Sequence, residues 1–234
     1  TTLVWDPPET LVGGPAFEVV VLGDFVDRGS FSRQSALLLK ELSEDHLWGS
    51  HLTVLLGNHE SMLLRSPAGK YAEEGWTKEA RFDDLHATEG EAFELVRWMR
   101  TRPVVRLAQG VLMMHGGMSL QVAELAASEA GCCKKRGPIG RLLAAALPQA
   151  QCPDAGPACG ELAVERINSA ASAYYEEVHA CLQEATMETY RDQCNYRRPA
   201  VISGETDHDP ALDVGWACDH RGRKCSGGGV LWFR

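Results

Sequence analysis

No stretch of this 234-residue chain approaches the roughly eighteen consecutive apolar residues that a membrane-crossing helix needs. Blocks of lysine and arginine are also missing, and the formal net charge is −9, so neither a membrane nor a nucleic acid is expected as a partner. An acidic balance does not exclude phosphate substrates, because bound cations and local arginines reverse the charge inside a site. Cysteine is absent until late: all eight fall after residue 130, at Cys132, Cys133, Cys152, Cys159, Cys181, Cys194, Cys218 and Cys225. None of them makes the tight C-x₂-C pair that zinc modules use, which argues against such a module. Their scatter reads as reduced thiols, with Cys152 and Cys159, which bracket a Pro/Gly loop, as the pair that an oxidising compartment would join. There is no charged and then apolar leader at the start and no internal repeat. The expectation is a soluble intracellular protein, cytoplasmic or organellar.

What the chain does have is 44% apolar residues, enough for a sizeable core in one domain over residues 1–234. Three apolar runs end in polar residues. Val19-Val20-Val21-Leu22 stops at Gly23 and is followed by Asp24, Phe25, Val26, Asp27, Arg28 and Gly29. Val54-Leu55-Leu56 stops at Gly57 and is followed by Asn58, His59 and Glu60. Val111-Leu112-Met113-Met114 runs into His115, Gly116 and Gly117. Buried strands deliver reactive groups at their C-terminal ends in this way. Oxygen and imidazole donors from separate strand ends suit a hard or borderline divalent cation, and the glycines permit close approach. Each piece also has a plainer explanation: the acids as a solvated strand exit, Asn58 as a turn former, and His115 as a satisfied core histidine.

The segments GDFVDRG, GNHE and HGG, in this order and spacing, resemble the central motifs of the PPP-type metallophosphatases. These are the Ser/Thr protein phosphatases within the calcineurin-like phosphoesterases. The likeness runs from Val19 to Ser119. Leu162-Ala-Val-Glu-Arg-Ile-Asn168 looks like the helix that follows HGG in the bacterial-like, Shewanella-like branch, and Leu231-Trp232-Phe233-Arg234 is similar to the family's Leu-Trp-Tyr-Arg motif. The resemblance implies an α/β fold, a β-sandwich of mixed sheets flanked by helices. It also implies two divalent metal ions (Mn, Fe or Zn) and hydrolysis of a phosphoprotein or phosphopeptide substrate by direct attack of a metal-activated water. Asp24 would bridge the two metals, and Asn58 and His115 would bind the second. His59 would be the general acid, oriented by Asp27. Arg28 and Arg234 would grip the phosphate, and Glu60 would fix the loop from the second shell.

Two family motifs have no counterpart. The upstream Gly-Asp-x-His-Gly is absent, and no Gly-His-Asn or Gly-His-Thr follows Arg234, although Gly204-Glu205-Thr206 and His208 lie nearby in sequence. The chain therefore reads as incomplete at both ends. Two rivals share the fold or the site: a dinucleoside polyphosphate hydrolase, and a pseudophosphatase that binds phosphate without turnover. A third is a purely structural scaffold. No regulatory partner is indicated.

Between the motifs, residues 1–18 read as an extended segment or hairpin. Ser30 or Ser32 is placed to cap a helix over Ser35–Leu42, completing a βαβ unit with a parallel pair. The chain reads as helical from Ser61 to Arg102, with loops near Ser66–Gly69 and Gly75 and with Trp98 in the core. Val104–Leu107 and Val111–Met114 read as a hairpin. Residues 120–160 read as a surface insertion whose Lys134-Lys135-Arg136 is a solvated charge run. Helix resumes over Glu161–Cys194, and Val201–Ser203 reads as a short strand.

Overall fold

The computed structural model describes residues 18–27, 29–46, 48–65, 89–117 and 157–184. The segments 1–18 (apart from Glu18) and 120–156, the strand at 201–203, Glu205, His208, Arg28 and Arg234 therefore lie outside the described residues, as does the extension of the last helix to Cys194.

Strand β1 (Val19–Val21) leads through the first loop into helix α1 (Ser32–Glu44), and β2 (Leu52–Val54) follows. β1 and β2 pair in parallel, Val19 opposite Leu52 and Val21 opposite Val54. This is the pairing that a strand, a crossover helix and a strand require. The ladder continues past the strand ends, where Leu55 N–H donates to Val21 O at 2.8 Å and Leu56 N–H donates to Pro103 O at 3.0 Å. The β2 run is thus held on both sides, and Val54, Leu55 and Leu56 are buried. Burying each of these side chains contributes about 1.5–3 kcal/mol. β1 is less enclosed than its apolar sequence suggests: Val19 and Leu22 are exposed, because among the described residues only β2 pairs with it.

Helix α2 (Asn58–Arg65) begins directly after Gly57. The sequence reading starts a helix only at Ser61, and the difference matters, since Asn58, His59 and Glu60 occupy a helical first turn and not a loop. α3 (Gly90–Arg100) buries Leu95, Val96, Trp98 and Met99. Trp98 is a core residue, as expected, and its Nε1–H donates to Ser43 Oγ at 3.0 Å. Phe25 lies 6.1 Å from it, ring centre to ring centre.

β3 (Val105–Ala108) and β4 (Val111–Met114) form an antiparallel hairpin with Val105 opposite Met114. Gln109 (φ 50°) and Gly110 (φ 78°) both take the left-handed conformation that two-residue hairpin turns demand. α4 (Pro157–Glu184) packs on α2, α3 and β3. Its buried residues Ala163, Ile167, Ala171, Tyr174, Tyr175, Val178, Cys181 and Leu182 recur at helical spacing and make one continuous stripe.

Two local readings need correction. Ser32 does not cap α1: Phe31 occupies that position with no side-chain cap bond. The Ser32 hydroxyl instead accepts from Asp27 N–H at 3.0 Å, because the loop's orphan donors are nearer than those of the helix. The cysteines are not all reduced, since Cys159 and Cys181 are both disulfide-bonded. Twenty-two residues apart on one helix, they stand about 33 Å from each other and cannot be mutual partners. Their partners lie outside the described residues.

Candidate active site

The site is assembled by one buried carboxylate. Glu60 is fully buried, and it accepts three backbone N–H bonds, from Gly57 at 2.7 Å and Asp24 at 2.8 Å on Oε2 and from Val26 at 3.0 Å on Oε1. The first turn of α2 is thereby tied to the loop leaving β1. Burial is the largest influence on Glu60 and pushes its carboxyl above the usual glutamate value, against the pull of the three N–H bonds and with the help of the Asp24 charge. Gly57 is required at the junction: a Cβ there would meet Asp24 Oδ1 and sit 2.9 Å from Glu60 Oε2.

That loop is strained. Asp24 has φ 55° and Asp27 has φ 76°, a conformation that non-glycine residues adopt at a cost of about 1–3 kcal/mol each. Aspartate tolerates it better than most. The anchors that hold it are the Glu60 bonds and the Asp27–Ser32 bond. The strain turns both carboxylates toward α2. Asp24 Oδ1 accepts from His59 N–H at 3.2 Å. Asp27 Oδ2 lies 2.7 Å from His59 Nδ1, with both side chains largely buried.

His115 arrives from the end of β4. Its Nδ1–H donates to Leu22 O at 2.7 Å, which fixes the ring and leaves Nε2 facing the other motifs. Nε2 lies 2.9 Å from Asn58 Oδ1 and 3.2 Å from Asp24 Oδ2. The bond to Asp24, foremost, holds the His115 imidazole above its ordinary value against the effect of burial. For Asp24 burial is the largest influence and pushes upward, but His115 and the His59 N–H together outweigh it and hold the carboxyl below its ordinary value.

The structure thus brings together Asp24, Asp27, Asn58, His59, Glu60 and His115 from three chain segments. Sequence reasoning overlooked Ser32 as a loop anchor and the Leu22 carbonyl as the partner of His115. The first had the signal of a hydroxyl just past a Gly-Ser turn, whereas a main-chain oxygen leaves none.

The donor set fits a cation. Ligands at adjacent corners of an octahedron with bonds near 2.1 Å are roughly 3 Å apart. Here Asn58 Oδ1 and Asp24 Oδ2 lie 2.9 and 3.2 Å from His115 Nε2. The Nδ1–H bond to a backbone carbonyl is also how a ligating histidine is usually oriented. The fit is to one ion. Among the described residues no group of three or more His, Cys, Asp and Glu side chains is placed to hold a metal ion; the set above reaches three donors only through the Asn58 amide oxygen, and the expected second ion has Asp24 alone there.

A carboxylate, an amide oxygen and an imidazole at strand and helix ends, with a second histidine backed by a buried acid, are groups that a hydrolase of the metal-assisted class uses. Comparison narrows that class. The model of the calcineurin-like phosphoesterase family matches residues 10–134, just over half of the chain, and the chain belongs to that family. These enzymes use divalent metal ions. A serine/threonine-protein phosphatase of Caenorhabditis elegans is 30% identical over 113 residues, 47% of this chain and 23% of that protein. Symmetrical bis(5'-nucleosyl)-tetraphosphatases of Aromatoleum aromaticum and Bordetella pertussis are 31% and 33% identical, over 42% and 41% of this chain and 33% and 31% of theirs. The matched stretch thus spans only 23% to 33% of these relatives. No solved structure matches the chain. No helix among the described residues is long and apolar enough to cross a membrane.

Proposed function

We propose that this chain carries the site of a metal-dependent protein phosphatase, which hydrolyses phosphate monoesters by in-line attack of water on phosphorus. The observation that carries the reading is the placement of His59. Its Nδ1 sits 2.7 Å from the Asp27 carboxylate, while its Nε2 faces the donor cluster, 3.8 Å from Asp24 Oδ2. Asp24, Asn58 and His115 would hold a divalent cation (Mn, Fe or Zn). When bound, that ion would lower the pKa of water and polarise the phosphoryl oxygens.

The chain's own residues account for the remaining steps. As the bond from water oxygen to phosphorus forms and the ester P–O bond breaks, His59 gives the proton on Nε2 to the leaving oxygen. Asp27 keeps the ring in register and balances its charge. Arg28 and Arg234 are the proposed phosphate clamp, a role suited to the planar guanidinium fork. Glu60 keeps the strained loop in place.

The likeness to the bis(5'-nucleosyl)-tetraphosphatases supports a second reading, cleavage of a dinucleoside polyphosphate. The two separate in one assay: phosphoserine, phosphothreonine and phosphotyrosine peptides beside diadenosine tetraphosphate, at equal concentration with added Mn²⁺. Faster phosphate release from a peptide supports the protein-phosphatase reading. Faster nucleotide release overturns it in favour of the second. Phosphate binding without either product would make the chain a pseudophosphatase.

A further inference from the structure

Helix α4 contributes none of the site residues named above, yet two of its polar contacts within the described core fall beside them. Asn168 closes three bonds with the start of β3. Its Oδ1 accepts from Val104 N–H at 2.9 Å and Val105 N–H at 3.1 Å, and its Nδ2–H donates to Val105 O at 2.9 Å. Val105 is paired across the hairpin with Met114, the residue immediately before His115. Tyr175 is fully buried, and its hydroxyl donates to Ser61 Oγ at 2.8 Å. Ser61 is itself fully buried and follows Asn58, His59 and Glu60 on α2.

We propose that α4 is the spacer of the site, with Asn168 and Tyr175 as positioning residues that set the separation between the His115 strand and the His59 helix. Positions 168 and 175 are two helical turns apart, so they share a face about 10 Å apart along the axis. A helix is stiff along its axis, and so the two clamps fix both pieces to one ruler. Apolar packing alone tolerates sliding. A hydrogen bond between two buried groups does not, because a displaced partner leaves a buried polar atom unpaired. Displacements on the order of an ångström are enough to lower turnover by up to about a hundredfold.

This inference rests on the proposed reaction, and the test separates the two. Tyr175→Phe, Ser61→Ala and the double variant form a cycle on one clamp, and Asn168→Asp weakens the other while keeping its acceptor. Turnover of p-nitrophenyl phosphate in Mn²⁺ is measured for each, together with the imidazole ring signals of His59 and His115 by NMR. Each single change is expected to lower kcat on the order of tenfold, with KM within about twofold, and the double variant to be no worse than either single. The His59 signals shift in Tyr175→Phe and the His115 signals in Asn168→Asp. Should Tyr175→Phe fail to fold, Ser61→Ala removes the same bond from the other side. Wild-type kcat in the variants, or unmoved ring signals, overturns the spacer role. A wild-type chain without turnover sinks the proposed reaction, and the ring signals then decide the spacer role.

Discussion

Glu60→Ala is the substitution that most tests how the site is built. It strips the acceptor from three buried N–H groups, those of Gly57, Asp24 and Val26, and opens a cavity where a fully buried side chain stood. Each orphaned donor costs about 1–3 kcal/mol, so the loss is at least about 3 kcal/mol even where water enters to offset the rest. A chain of this size changes its melting temperature by about 2–4 °C per kcal/mol, which gives a drop of at least about 6 °C. The loop should relax as well, because Asp24 and Asp27 hold positive φ only while their surroundings insist on it. Glu60→Gln is the matched control. Its carbonyl still serves Asp24 and Gly57, while its amide confronts the Val26 N–H, for roughly a third of the loss. The assay is thermal and urea unfolding of the metal-free chain. A melting temperature for Glu60→Ala within 2 °C of wild type would refute the reasoning.

Two other predictions follow from buried or paired charge. Arg100 is buried, its Nε and Nη1 make no hydrogen bond among the described residues, and the acid paired with it there, Glu176, is 3.4 Å away and half exposed. Burial is what chiefly lowers its pKa. Arg100→Met should therefore leave stability unchanged or raise it by about 1–2 kcal/mol, and a clear fall in the urea midpoint would show that Arg100 has a partner role. In EDTA, stability should also depend on pH. His115 is raised above 6.5, so its contribution is complete below that pH and is lost as pH rises through the raised value. Asp24 is lowered below 3.8, so its contribution is present above that pH and is lost as pH falls through the lowered value. Glu60, raised above 4.5, tilts the curve downward as pH rises through its own range. His115→Gln should abolish the loss above pH 6.5, and an unchanged upper limb in that variant would contradict the pairing.

The sequence made the motif residues legible because each stood at the end of an apolar run closed by glycine, and a parallel pair was implied by strand, helix and strand. Boundaries were less legible. Asn58, His59 and Glu60 read as a loop because their side chains have no helical periodicity of their own, yet Glu60 turns back on Gly57 and makes them a first turn. The Ser32 hydroxyl read as a helix cap because a cap and a loop anchor need the same residue type. The roles of Asn168 and Tyr175 come from tertiary contacts with residues more than sixty and a hundred positions away, for which no local pattern exists. Reduced thiols were the reading for Cys159 and Cys181 because eight scattered cysteines read the same in sequence whether or not the fold pairs them.

The central claim is that Asp24, Asn58 and His115 hold a divalent cation on which phosphoester hydrolysis depends. The most direct measurement is metal content by elemental analysis on the purified 234-residue chain, with p-nitrophenyl phosphate turnover in Mn²⁺, for wild type, Asp24→Asn, His115→Ala and His59→Asn. The account predicts at least one metal per wild-type chain with turnover, loss of both metal and turnover in Asp24→Asn and His115→Ala, and retained metal without turnover in His59→Asn. Full metal content in His115→Ala, or undiminished turnover in His59→Asn, would contradict it.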